Sequence, residues 1–162
     1  MRETTAYRPM WQTNTRMQPG ERYWSVLDPI WDTIDIGSAD SFDRTFRAVP
    51  SNLGLLYSAH FCQSEVCNGG FSQFFWNSTG VLAPEAVDGF TEIGQPGVAS
   101  VVGRAMSLLG SPYLRDRIAR WTALERLSGT QSQPEVKVGD FQYRRVLLFE
   151  PLEREFYSLL ST

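Results

Sequence analysis

The chain has 162 residues, of which 42% are hydrophobic and 13% aromatic. That is enough apolar material for one packed core, and it excludes a disordered chain. Fourteen of the fifteen basic residues are Arg and the net charge is −3, which does not favour direct binding of nucleic acid. No apolar run reaches the ~20 residues of a membrane-spanning helix and no secretory signal is recognised, so we expect a cytoplasmic protein.

Residues 1–20 are polar, show no apolar period and end in Pro19-Gly20. The sequence therefore predicts an N-terminal arm, followed by one domain over residues 21–162 with an all-α fold of about eight helices. Large apolar side chains recur at helical spacing at Trp24, Leu27, Trp31 and Ile34. Pro29 predicts a kink or break in this first helical region.

A short helix is predicted within residues 39–48, and an almost wholly apolar helix runs from Ser51 to about Glu65. First-turn prolines predict later helices that begin at Pro84, Pro96, Pro112 and Pro151. The Pro112 helix is expected to carry an apolar stripe made of Leu114, Ile118, Trp121 and Leu124. Alternating residues near 135–148 favour a short β-hairpin, with a short helix as the alternative.

One string interrupts the apolar helix with two glycines and then resumes with aromatic residues. It comprises Asn68, Gly69, Gly70, Phe71, Ser72, Gln73, Phe74, Phe75, Trp76 and Asn77. With Gly80, Glu85-Ala86 and Ile93-Gly94 after it, this string resembles a family of small bacterial helical proteins whose best-known member is a DNA mimic. The resemblance covers roughly residues 22–109, with a fainter match over residues 149–157.

This resemblance implies a helical fold and, in the best-known member, occupation of the DNA site of a transcription regulator. Duplex DNA carries one charge per ~1.7 Å, so a mimic ~30 Å long needs about 17 carboxylates on one surface. The chain has 18 acidic and 15 basic residues in total. A smaller negative patch fits this composition better than imitation of a long duplex.

Acidic residues are concentrated in the first half of the chain. Between Asp28 and Gly103 there are nine acids and two bases, so the local charge is −7. We predict an acidic contact patch made of Asp28, Asp32, Asp35, Asp40 and Asp43. Part of it, together with Glu21, would share one helix face if residues 21–36 formed a continuous helix. The alternative is a solvated helix face without a partner.

The string from Asn68 to Asn77 has two interpretations. Its carboxamides, Gln73 and Asn77, lie four residues apart beside a glycine turn, which suits a ligand site. They would equally suit a fold-defining corner in which the amides bond a facing loop and the glycines permit close packing.

The single histidine and the two cysteines offer little catalytic chemistry. His60 lies on the apolar stripe of its helix, where a core histidine is the commoner finding. Cys62 and Cys67 are expected to be reduced thiols. Residues 60 and 62 of one helix point to nearly opposite sides, which disfavours a metal site or a Cys–His pair.

We therefore expect a non-enzymatic protein-binding module, with no cofactor and no metal, that acts on an unidentified protein, with a transcription regulator among the candidates. The alternatives are a small-molecule-binding or hydrolytic enzyme that uses the Asn68–Asn77 corner and His60, and an immunity or antitoxin-like protein. Monomer and homodimer are both compatible with the sequence.

Overall fold

The computed structural model describes residues 19–129, 135–138 and 141–161, which form seven α-helices and a two-stranded hairpin. The helices are α1 (Pro19–Leu27), α2 (Ala39–Phe46), α3 (Ser51–Trp76), α4 (Ala83–Glu92), α5 (Pro96–Leu109), α6 (Arg117–Ser128) and α7 (Glu150–Leu160). Short 3-10 turns cover Asp28–Ile30, Ser78–Leu82 and Leu147–Phe149. Strands β1 (Glu135–Val138) and β2 (Phe141–Arg144) pair antiparallel. Residues 1–18 of the predicted arm lie outside the described residues.

The predicted all-α class is confirmed, and the hairpin alternative is the one that forms. The count of about eight helices differs from the seven described α-helices because α3 spans two predicted helices. Gly69 (φ −148°, ψ 18°) and Gly70 (φ 75°, ψ −178°) are not helical, so α3 is two helical segments joined by a sharp kink. The predicted break at the two glycines is therefore present inside α3.

The core has two parts that both pack on α3. The larger part, between α3, α4, α5 and α7, is built from rings with at most 1% exposure at Phe71, Phe74, Phe75, Phe90, Phe149 and Phe156. The smaller part covers the first segment of α3 with buried side chains from Leu27, Ile30, Ile34, Phe42 and Val49. Large apolar side chains at helical spacing thus place α3 at the centre of the fold.

The chain between α1 and α2 does not continue as a helix. α1 ends at Leu27, and Pro29 occupies the 3-10 turn Asp28–Ile30. Residues 21–36 therefore do not form the single helix that would align their acidic side chains. The break follows from Pro29, which lacks an N–H and cannot continue the hydrogen-bond ladder.

The predicted start of α6 is wrong by several residues. The helix begins at Arg117, not at Pro112, and the carboxylate of Asp116 caps it by accepting a hydrogen bond from Ala119 N (2.8 Å). Residues 112–116 are instead held against the 3-10 turn Ser78–Leu82, because Tyr113 donates to Gly80 O (2.7 Å).

The predicted apolar stripe of α6 also needs correction. Leu124 is buried, but Ile118 is 61% exposed and Arg120 is 1% exposed. Trp121 stacks on Trp76 with ring centroids 4.8 Å apart and donates to Trp76 O (2.8 Å). The helix is rotated so that a guanidinium, rather than an isoleucine, faces the interior.

Candidate functional site

The kink of α3 is held by a carboxylate from α7. Glu153, 2% exposed, accepts a hydrogen bond from Phe71 N (3.0 Å) through Oε1, and Oε2 accepts one from Arg145 (3.0 Å). An amide exposed by the kink is thereby capped, as a carboxylate caps a helix start. The hydroxyl of Tyr157 donates to Val66 O (2.8 Å) on the other side of the kink.

A second carboxylate organises the carboxamides after the kink. Glu65 Oε2 accepts from Gln73 Nε2 (2.7 Å) and from Asn77 Nδ2 (2.9 Å), and its Oε1 accepts from Thr79 (3.1 Å). The predicted partner of the two amides was a facing loop, but the main partner is Glu65 of the same helix. These three bonds tie the second segment of α3, and the 3-10 turn that follows it, back to the first segment of α3.

The remaining members of the string have different environments. Phe71, Phe74 and Phe75 are fully buried, whereas Asn68 is exposed. Gln73 is 6% exposed, and its Oε1 has no hydrogen-bond partner among the described residues. The string therefore contributes mainly core rings and internal hydrogen bonds.

Arg120 closes the C-terminal end of α3. Its guanidinium donates to Phe75 O (2.9 Å), to Asn77 O (3.0 Å) and to Arg115 O. Carbonyls at the end of a helix have no intrahelical partner, so a cation there satisfies them. Burial lowers the pKa of Arg120, but a guanidinium keeps its charge at every physiological pH.

Sequence reasoning missed the three charged residues that hold this region, namely Glu65, Glu153 and Arg120. For Glu65 there was a signal, since it is the only acid in the long apolar run and lies eight and twelve residues before the two amides. Glu153 and Arg120 act across large sequence separations, which periodicity within one helix does not reveal.

The predicted acidic patch lies on the surface segment that joins α1 to α2 and enters α2. All five side chains are exposed, at Asp28, Asp32, Asp35, Asp40 and Asp43. Asp35 Oδ1 accepts from Gly37 N (2.8 Å), and Asp43 forms an exposed ion pair with Arg47 (2.9 Å). We refer to these five carboxylates as the acidic segment.

Aromatic side chains flank the acidic segment. Trp24 is 46% exposed and packs edge-on against Trp31, with centroids 5.4 Å apart. Burial, and after it the negative charge of Asp32, raises the pKa of the Tyr57 phenol to about 12. Negative charge and exposed tryptophan therefore occur together on this side of the molecule.

His60 lies in an aromatic cluster between α1 and α3. Its ring centroid is 5.5 Å from Tyr23, 5.1 Å from Trp24 and 5.9 Å from Trp31. Burial lowers the pKa of His60, so the neutral imidazole is favoured in the fold. The cluster packs α1 onto α3.

We predict that stability falls on acidification because of His60. Its folded pKa is below the ordinary 6.5, so the unfolded state binds more protons once the pH drops below about 6.5, and unfolding is favoured there. Urea unfolding at pH 7.5 and 5.5 measures this loss, and His60→Gln provides the reference. A pH-dependent loss that is as large in His60→Gln as in the wild type would contradict the prediction.

A small open cleft beside this cluster contains His60 and Cys67, together with Tyr23, Gln63 and Ser64. The two residues are seven apart in a helix, so they are separated by about 10 Å along its axis, too far for a hydrogen-bonded pair. Burial raises the pKa of the Cys67 thiol, which disfavours the reactive thiolate. Cys62 is buried elsewhere, and both cysteines are free.

Across residues 19–129, 135–138 and 141–161, no group of three or more His, Cys, Asp or Glu side chains is placed to hold a metal ion. Within the same part of the chain, no helix combines the length and apolar character needed to cross a bilayer.

Comparison with known protein families finds one family whose sequence profile matches this chain. The sequence profile of the DMP19-like protein family matches residues 47–162, which is more than half of the chain. This match reaches further towards the C-terminus than the resemblance over residues 22–109 and begins after the acidic segment. No curated protein and no solved structure matches.

Proposed function

Because the chain belongs to the DMP19-like protein family, we propose that it is a non-enzymatic, cytoplasmic protein that binds a DNA-binding protein such as a transcription regulator. The acidic segment is the proposed contact surface. One observation carries the choice: five exposed carboxylates lie within sixteen residues, and only Asp43 forms an ion pair with a described basic residue. Unpaired surface carboxylates attract the basic groups of a DNA site.

The size of the acidic segment limits how much DNA it replaces. Five charges correspond to about 8.5 Å of duplex, so the proposed contact covers one part of a DNA site. The exposed ring of Trp24 beside the segment supplies apolar area of the type that dominates binding energy at protein interfaces. The family match begins at residue 47, so this surface is proposed from the chain's own residues.

The enzyme alternative has little support from the Asn68–Asn77 corner. Both carboxamides donate to Glu65, and the Phe74 and Phe75 rings between them are buried in the core. His60 lies in a different cluster, with Tyr23 and Trp24. An immunity or antitoxin-like role would use the same acidic segment, and the identity of the captured partner separates the two roles.

We expect that neutralising the acidic segment weakens partner capture. In the triple variant Asp28→Asn, Asp32→Asn and Asp40→Asn, the loss of three surface charges should cost about 1–3 kcal/mol, roughly 5- to 150-fold in affinity. Tagged wild type is used to capture partners from lysate of the source organism at low and moderate salt. Duplex DNA is then added to elute proteins that bind through their DNA site.

The matched control neutralises three exposed acids elsewhere, Asp88→Asn, Glu92→Gln and Glu125→Gln. It should capture the same protein as the wild type. Equal capture by the acidic-segment variant, with unchanged salt dependence, would refute the surface. Capture of a protein that duplex DNA does not elute would refute mimicry of a DNA site and favour a toxin as the partner.

A further inference from the structure

An apolar groove lies between the end of α1, the first turns of α3 and the end of α4. It encloses about 630 Å³. Its apolar walls are Val26, Leu53, Leu55, Leu56 and Ile93. Glu92 is the one charged side chain among the nine residues that line it.

The groove leaves apolar side chains uncovered. Val26 is 40% exposed and Ile93 is 50% exposed. The two residues are more than sixty positions apart in the sequence, but both line this groove. Contiguous exposed apolar surface with a polar rim is typical of a site that another segment covers. The charge beside the groove is negative, since α4 carries the exposed acids Asp88 and Glu92 and no basic residue.

The chain contains a segment whose composition is complementary to the groove. Residues 1–18 precede α1, lie outside the described residues and carry three Arg against one Glu. Beyond Met1, their large apolar side chains are Tyr7, Met10, Trp11 and Met17. This segment therefore has both the positive charge and the apolar side chains that the groove requires.

The length of chain between Trp11 and the groove also permits contact within one molecule. Val26 follows Pro19 by seven helical residues, about 10 Å along α1. The eight residues from Trp11 to Pro19 span up to about 26 Å when extended. A tethered segment has an effective concentration in the millimolar range, so even a weak contact is populated.

From this match of apolar character, charge and reach, we propose that residues 1–18 bind back into the groove of the same molecule. Trp11 is the apolar anchor between Val26 and Ile93, and the arginines of the segment face Asp88 and Glu92 of α4. The segment then covers the apolar surface between α1, α3 and α4. This contact is independent of the proposed binding of a DNA-binding protein.

The test uses NMR of the full chain labelled with ¹⁵N and ¹³C. We expect nuclear Overhauser effects between the Trp11 indole and methyl groups of Leu53, Leu56 and Ile93. Trp11→Ala should abolish these effects and shift the amide signals of the groove residues. If Trp11→Ala leaves the groove signals unchanged, or shifts those of another surface instead, the proposal is wrong.

A pair of exposed isoleucines supplies the matched control. Ile93→Ser should release Trp11 from the groove, whereas Ile118→Ser, at a residue that is 61% exposed on α6, should not. Equal release by both variants would overturn the proposal. The nuclear Overhauser effects should also persist when the protein is diluted. If they disappear on dilution, a second copy of the chain fills the groove, which contradicts binding within one molecule.

Discussion

Arg120→Met is expected to lower the free energy of unfolding by about 3 kcal/mol. The substitution keeps an apolar stem in the buried position but leaves the carbonyls of Phe75, Asn77 and Arg115 without their donor. A buried acceptor that loses its partner costs about 1–3 kcal/mol. Removing the buried cation also removes its desolvation penalty, which offsets part of that loss.

Urea unfolding followed by circular dichroism measures the effect, and a parallel thermal scan should show a Tm lowered by about 6–12 °C. The control is Arg126→Met, the same change at an exposed residue of the same helix, which should shift stability by no more than about 0.5 kcal/mol. Equal stability of the two variants would mean that the carbonyls find other donors, and the capping role of Arg120 would be wrong.

The contrast between Arg120 and Ile118 shows where sequence reasoning reaches its limit. The almost wholly apolar sequence after Ser51 correctly predicted the first segment of α3, which packs in the core because hydrophobic burial decides its position. In α6, Arg120 faces inward because two carbonyls at the end of α3, those of Phe75 and Asn77, need donors, and satisfying them outweighs the burial of an isoleucine. The need for these donors comes from α3, so the spacing of apolar residues within α6 does not reveal it.

Individual glycine and proline residues were also informative, because each has a backbone property that other residues lack. Gly70 was recognised as a break because only glycine readily adopts its positive φ, and Pro29 ended α1 because it lacks a donor. The carboxylates that hold the break were not predictable from such signals. Glu153 lies 82 residues from Phe71, and its role depends on how α7 packs against α3.

The candidate surface was accessible to sequence reasoning only in part. Charge counting placed the acids between Asp28 and Asp43 on the surface, where all five are exposed. Charge counting did not show that the chain turns between α1 and α2. Because of this turn, the five carboxylates do not line up along a single helix. It also gave no reason to expect that Trp24, assigned to an apolar stripe, is 46% exposed beside them.

Gly70→Ala is expected to destabilise the fold by about 4–8 kcal/mol, the largest effect predicted for this chain. Its φ of 75° and ψ of −178° lie in a region that is essentially restricted to glycine and costs other residues about 1–3 kcal/mol. An added Cβ would also lie 2.2 Å from Glu153 Oε1. Glu153 would have to leave Phe71 and Arg145, and a buried carboxylate stripped of its partners costs about 3–5 kcal/mol.

Two other glycines separate these contributions in urea unfolding. Gly94→Ala has a comparable φ of 79° with no atom within 4 Å of the added Cβ, so it should show backbone strain alone, about 1–2 kcal/mol. Gly103→Ala adds a Cβ in open space within α5 and should stabilise the fold by up to about 1 kcal/mol. If Gly70→Ala costs no more than Gly94→Ala, Glu153 yields without losing its hydrogen bonds, and it does not hold the kink of α3.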